Sequence, residues 1–296
     1  MSQPLTLKAR LNAYERLMRL DRPIGILLLL WPTLWGLWFA SAGVPPPDVL
    51  LIFVTGTVLM RSAGCVVNDY ADRHFDPHVE RTRSRPLAAG EVQPREALLL
   101  AAALLLAAFG LVLFLNALTI KLAFAAAAIA VIYPFLKRVF PLPQAWLGLA
   151  FGFGIPMGYA AVLNALPPVA WALLLATVFW AIAYDTEYAM VDRDDDLRIG
   201  VRSSAILFGR GDVAAVMAAH VLFLAAMTWI GWWQLRGAYY FGALLLASLL
   251  VLHQYRLIRD RSREGCFRAF LNNNGVGAII FAGTAIDWWR YPRMML

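Results

Sequence analysis

Nine apolar runs recur along the chain, at roughly 24–41, 48–66, 97–115, 118–133, 145–163, 168–184, 212–233, 237–255 and 271–288, and they leave little choice of fold. An α-helix needs about 20 largely apolar residues to cross a bilayer, and backbone groups in lipid must bond within their own segment. Runs of this length joined by short polar connections specify an all-α, polytopic membrane protein. Composition agrees: 61% of the 296 residues are hydrophobic and only 15% are charged, against about a quarter charged in a soluble domain. No low-complexity segment or long linker interrupts the runs, so a single domain over 1–296 is the simplest organisation.

Basic residues set the orientation. Of the 26 Lys and Arg, all but Lys121, Arg236, Arg290 and Arg293 belong to the N-terminal segment or to the side reached after runs two, four, six and eight. That asymmetry puts this side in the cytosol. It also accounts for the net charge of +7, so no nucleic-acid partner is expected. Residues 1–22 read as an amphipathic lead-in at the interface, with Leu11, Tyr14, Leu17 and Met18 on one side and arginines on the other. No leader with a small-residue cleavage site is seen, and the N-terminus is expected to be retained. Cys65 and Cys266 make neither a disulfide framework nor a thiolate metal site plausible. In the fifth run, Gly152, Gly154, Pro156 and Gly158 point to close helix contact or a kink, and Pro32 and Pro134 to bends or ends of their helices.

Two acidic clusters close runs two and six. In NDYADRHFDPHVERTRSRP (68–86), a continuing helix would put Asn68, Asp72 and Asp76 at i, i+4 and i+8, about 6 Å apart on one face. In YDTEYAMVDRDDDLRIG (184–200), Asp185, Asp192 and Asp196 share a face at i, i+7 and i+11. Together the clusters hold ten of the chain's 19 acidic residues: Asp69, Asp72, Asp76, Glu80, Asp185, Glu187, Asp192, Asp194, Asp195 and Asp196. Solvated loops with surface ion pairs have no reason to repeat acids one turn apart, where like charges repel without a cation between them. Hard oxygen donors suit Mg2+, which is usually held by one or two carboxylates together with substrate phosphates. Arg81, Arg83 and Arg85 follow the first row, Arg198 and Arg202 the second, and each can meet phosphate oxygens.

Two acidic rows with arginine beside them, at a lipid boundary, suit a diphosphate carrying a long hydrocarbon, and a prenyl diphosphate fits. Metal would neutralise the leaving diphosphate, and aromatic faces would steady an allylic cation; Tyr70, Tyr133, Phe151, Phe153, Tyr184 and Tyr188 are the candidates. Lys137, Arg138 and Arg22 read equally as topology anchors or anion contacts. His74 and His78 read as loop residues, His220 and His253 as structural. A divalent-cation transporter would instead place its acids within the spanning runs. The repetition of acid row and basic pair four runs apart allows two four-helix repeats, 24–133 and 145–255, with a ninth helix.

The segments NDYADRHFD with RTRSRP, YPFLKR, and YDTEYAMVDRDDD followed by IGVRSSAILFG resemble the UbiA family of intramembrane aromatic prenyltransferases. The resemblance runs from about Arg19 to the ninth run, and its two Asp motifs are specific. It implies nine helices around a central cavity capped by cytosolic loops, with Mg2+ and a polyprenyl diphosphate. Carried over by motif, Asn68, Asp72 and Asp76 would form the first metal motif, and Asp192 and Asp196 the second. The form YDTEYAMVDRDDD is similar to the branch that acts on 4-hydroxybenzoate in ubiquinone synthesis; other aromatic acceptors are the alternative. On that reading Arg138 would pair with the benzoate carboxylate, with Lys137 an equal physical candidate. Asp72 and Asp192 would be needed for turnover, and Asp69 or Asp192 would draw on the phenol. The expected setting is a bacterial inner membrane with the site facing the cytoplasm, without a protein partner.

Overall fold

The structure, a computed structural model, describes residues 6–79, 81–136, 140, 142–200 and 203–291. Among them the secondary structure is helical throughout, with no strand. A short α1 (Leu7–Leu17) opens the chain, capped by Thr6, whose hydroxyl accepts from the Ala9 N–H. Then come α2 (Ile24–Ala40), α3 (Pro47–Asp72), α4 (Pro94–Val112), α5 (Ala117–Leu136), α6 (Pro143–Gly152), α7 (Gly154–Leu163), α8 (Pro168–Ile199), α9 (Ser204–Phe208), α10 (Asp212–Trp233), α11 (Ala238–Ile258) and α12 (Arg263–Arg290). Proline in the first turn starts α3, α4, α6 and α8, where the missing N–H would have had no helical partner.

All nine apolar runs fall on helices. Seven spans are long and apolar enough to cross a bilayer, with α6 and α7 together making one and α9 and α10 another; runs one and four are shorter apolar helices, Ile24–Ala40 and Ala117–Tyr133. This is a multi-pass membrane protein. The break at Phe153 between α6 and α7 bears out the kink expected from the Gly/Pro pattern. The same glycines allow close contact: a Cβ on Gly152 would lie 2.6 Å from the Leu174 side chain on α8, and one on Gly158 3.2 Å from Leu37 on α2. Helix α2, by contrast, runs through Pro32 without ending.

One side of the bundle is solid. Trp35 (α2), Trp180 and Tyr184 (α8), Phe223 (α10), Tyr240 (α11) and Ile280 (α12) form its core, all essentially inaccessible. Trp180 stacks on Phe223 with centroids 5.6 Å apart and packs on Trp35 at 5.3 Å. Helices α3, α4 and α5 lie on the other side and enclose a cavity with α2, α6, α7, α8 and α12. Leu17 of α1 is fully buried against Val66, Leu87 and Val92, holding α1 across the end of the bundle where the first acidic cluster lies, whereas Leu11 is exposed.

Helix α3 stops at Asp72, and Asp76 lies in a separate 3-10 turn, Asp76–His78. The expected helical register of Asn68, Asp72 and Asp76 therefore fails at its last member. Pro77 is the reason: it lacks the N–H that would bond to residue 73 and disfavours helix at the residue before it. The second row keeps its register, because α8 is one helix through Asp185, Asp192 and Asp196.

Candidate functional site

The cavity has a volume of about 770 Å3 and runs from a charged mouth into an apolar interior. Asn68 and Asp69 of α3, Arg81 and Arg85 of the following loop, Arg16, Arg19, Asp21 and Arg22 near α1, and Asp185 of α8 line the mouth. Deeper walls come from Phe53, Met60, Phe109, Phe124, Leu147 and Met157. Leu106 of α4 and Phe124 of α5 line the cavity and are also 70% and 62% exposed. The cavity thus opens sideways between these helices, where a bilayer would supply hydrocarbon.

The two acidic clusters meet through arginine. Arg81 donates from Nε and Nη2 to the Asp192 carboxylate, at 2.9 and 2.6 Å, and its guanidinium lies 4.8 Å from the centre of the Tyr188 ring. Arg85 donates to Asp69 and Asp76, at 3.0 Å each. Arg19, held in a left-handed backbone conformation at φ 59°, reaches over from the α1 side and donates to both oxygens of Asp69, at 2.8 and 3.0 Å. Asp69 is thus a fully buried carboxylate held by two guanidiniums. Burial pushes the Asp76 carboxyl above the usual carboxylate range; Asp69 and Asp72 push it the same way, while Arg85 pulls against them. The result is crowded negative charge that a further cation would relieve.

The sequence candidates divide cleanly. Asn68, Asp69, Asp72, Asp76, Arg81, Arg85 and Asp192 gather at the charged end of the cavity, with Asp196 one turn beyond Asp192 on α8. Arg22 sits at the mouth but is largely exposed and faces Asp21. Arg198 points outward, 78% exposed, beside Asp195, and Arg83 is exposed. Lys137, Arg138, Arg202 and Glu80 lie outside the described residues. Of the aromatic candidates, Tyr133, Phe151, Phe153, Tyr184 and Tyr188 line the cavity. Tyr70 does not; it packs beneath α1 with Arg73 over its ring.

Two arginines were missed. Arg19 was counted only as a topology charge, and so was Arg61, which sits inside α3 two turns below Asn68. Arg61 lines the cavity, lies 5.8 Å from the Phe151 ring centre and touches Sγ of Cys65 through Nη1; its buried Nε has no hydrogen-bond partner among the described residues. A charge in the middle of an apolar run is itself a signal for a functional site.

A helical membrane bundle with a deep cavity, apolar inside and ringed by aspartate and arginine at its mouth, is the build of a protein that receives an oily molecule with an anionic head. Residues 29–276 match the model of the UbiA prenyltransferase family, and the chain belongs to that family. A 4-hydroxybenzoate octaprenyltransferase of Nitrosospira multiformis is 63% identical over 284 residues, 96% of this chain and 98% of the relative. One from Nitrosomonas europaea is 59% identical over 283 residues, 96% and 97% of the two chains. Among solved structures, the apo form of a UbiA homolog from Aeropyrum pernix superposes with a TM-score of 0.78 at 27% identity, covering 88% of this chain and 97% of that one. A UbiA homolog from Archaeoglobus fulgidus, bound to GPP and Mg2+, shares the fold at a TM-score of 0.71 and 18% identity, covering 94% and 99%.

Proposed function

We propose that this chain transfers a polyprenyl group from polyprenyl diphosphate to the ring carbon ortho to the hydroxyl of 4-hydroxybenzoate, in ubiquinone synthesis. The observation that carries this reading is the arginine- and aspartate-ringed mouth opening onto an apolar cavity that reaches the lipid side. The acceptor is inferred from relatives about 60% identical over nearly the whole chain. In this reading the protein is one domain over 1–296, with nine spans and halves 24–133 and 145–255. It lies in a bacterial inner membrane, and its loops cap a site that faces the cytoplasm.

The donor set fits Mg2+: Asn68, Asp72, Asp76, Asp192 and Asp196 offer hard oxygens, and the crowding at Asp76 favours an added cation. Among the described residues no three acidic, His or Cys side chains stand close enough together to hold an ion. Guanidiniums pair with Asp76 and Asp192, so these carboxylates would serve as ligands where Arg81 and Arg85 pair with phosphate instead. Bound Mg2+ supplies charge neutralisation for the departing diphosphate.

The chain's own residues do the rest. Arg81, Arg85 and Arg19 bind diphosphate oxygens and favour cleavage where negative charge grows. Tyr133, Phe151, Phe153, Tyr184 and Tyr188 wall the reacting end, exclude water and turn ring faces toward an allylic cation. The acceptor carboxylate has three candidate partners, Arg138, Lys137 and Arg61, and we favour Arg61 on depth. At 1.5 Å per residue it lies about 10 Å below Asn68 along α3, enough for a benzoate ring to stand between the arginine and the reacting carbon. Asp192 and Asp69 are the candidates for drawing on the phenol. Asp69 is the weaker, because two guanidiniums already hold it.

Purified protein given Mg2+, octaprenyl diphosphate and 4-hydroxybenzoate should yield the 3-octaprenyl product by mass spectrometry, with release of pyrophosphate, and chelation should stop both. Neither product nor pyrophosphate from folded protein would overturn the reading.

A further inference from the structure

Behind the cavity wall, on the opposite face of α8, lies a buried polar chain that the proposed chemistry does not use. Glu187 is fully buried and follows the cavity-lining Asp185 by two residues, which turns it about 200° around the helix, toward α10 and α12. Its Oε2 accepts from Nδ2 of Asn273 on α12 at 2.7 Å. The Asn273 Oδ1 in turn accepts from Nε1 of Trp180 at 2.9 Å. His220 of α10 stands 3.7 Å from the other Glu187 oxygen, beyond hydrogen-bond range, and is fully buried. A carboxylate and an amide buried in a lipid-facing bundle are costly unless paired; a fully apolar interface would have packed these helices without them.

The chain ends on the aromatic wall of the cavity. Trp180 meets the Tyr184 ring edge-on, centroids 5.3 Å apart and planes at 83°. Asn273 lies three residues, one turn of α12, from Phe270. That ring lines the cavity and packs on Tyr184 at 6.3 Å and on Tyr188 at 4.7 Å. The chain from Glu187 through Asn273 to Trp180 therefore sets both the rotation of Trp180 and the register of α12 against α8. Those two settings place Tyr184, Tyr188 and Phe270.

We infer that Glu187, Asn273 and Trp180 are positioning residues that hold this aromatic wall closed against water while the allylic cation exists. The inference rests on the prenyl-transfer reading. When the bond between the allylic carbon and the diphosphate oxygen breaks, the electron pair leaves with diphosphate. The cation then has two fates. Attack by the acceptor ring forms a carbon–carbon bond and releases the ring proton; attack by water forms a carbon–oxygen bond, releases a water proton and gives the free prenol. A wall in register favours the first fate, and a displaced wall admits water.

The test is the ratio of prenol to prenylated acceptor, measured by mass spectrometry with Mg2+, farnesyl diphosphate and 4-hydroxybenzoate. The ratio is taken per turnover, so the fraction of folded enzyme does not enter it. Trp180→Phe keeps an aromatic ring but removes the N–H together with the five-membered ring that carries it, and should raise the ratio several-fold. Asn273→Ala should raise it further, and Glu187→Gln, which keeps an oxygen for Asn273, should leave it near wild type. If Trp180→Phe and Asn273→Ala lose activity with the ratio unchanged, the chain only holds the fold together and the inference is wrong. Should Asn273→Ala not fold, Trp180→Phe decides alone. A wild type that forms neither product would instead overturn the prenyl-transfer reading itself.

Discussion

Arg81, from the loop after α3, clasps the carboxylate of Asp192, from α8, with two nitrogens of its guanidinium. Residues 111 positions apart thereby join the two acidic clusters at one point. If Arg81 hands its grip from Asp192 to diphosphate, the two residues serve one event. Arg81→Ala and Asp192→Asn should each lower kcat/KM by about 100-fold, the scale for removing one aimed donor in an active site. The double variant should lose far less than the product of the two. Steady-state kinetics on the four proteins reads this directly, and independent, multiplying losses would argue against a shared role.

Arg61 should discriminate between the substrates. Charge-assisted hydrogen bonds contribute about 1.5–3 kcal/mol, so Arg61→Gln should raise KM for 4-hydroxybenzoate by about 10- to 100-fold and leave KM for the prenyl donor nearly unchanged. The same measurement on Arg138→Gln and Lys137→Gln separates the three candidate carboxylate partners. An equal rise for both substrates in Arg61→Gln would move Arg61 to the diphosphate.

Asp76 should trade stability for function. Its carboxyl is held above the usual range by burial and by neighbouring carboxylates. The folded chain therefore binds this proton more tightly than the unfolded chain does. Its contribution to stability is present at low pH and is lost as pH rises through the raised value, so ionised Asp76 weighs on the fold at neutral pH. Asp76→Asn, which still offers Arg85 an oxygen, should raise the Tm of chelator-treated protein by about 2–4 °C while lowering turnover. A lower Tm would show that the pairing with Arg85 outweighs the crowding.

Glycine at the helix crossings should be intolerant in one place and not in another. A Cβ on Gly148 would meet Val178 Cα at 2.7 Å and Ala181 Cβ at 2.9 Å, whereas one on Gly64, at the cavity wall, meets nothing within 4 Å. Gly148→Ala should cost about 1–3 kcal/mol through overpacking of α6 on α8. Gly64→Ala should unfold no earlier than wild type, since alanine is the better helix former. Thermal unfolding in detergent compares them.

How much of this was legible in the sequence depended on where each signal resided. The apolar runs could be read because lipid demands a continuous stretch, and the Asp192–Asp196 row because α8 stays regular through it. The place of Asp76 was misread, although Pro77 beside it already marked the end of helical register. Arg61 and Arg19 were absorbed into the count of topology charges. Nothing local distinguishes an anchor from a cavity lining, and the partner of Arg19, Asp69, is 50 residues away. The Glu187–Asn273–Trp180 chain was invisible because it exists only once α8 and α12 pack.

The sideways opening at Leu106 and Phe124 fixes how the molecule trades with its surroundings. A donor arriving from the membrane need not be pulled out of oil; only its first units are gripped, and the remainder stays dissolved among the acyl chains. Lengthening the tail then adds length outside the walls rather than strain within them. Traffic of donor and product becomes a matter of two-dimensional diffusion, with only the small acid and the spent pyrophosphate crossing into water.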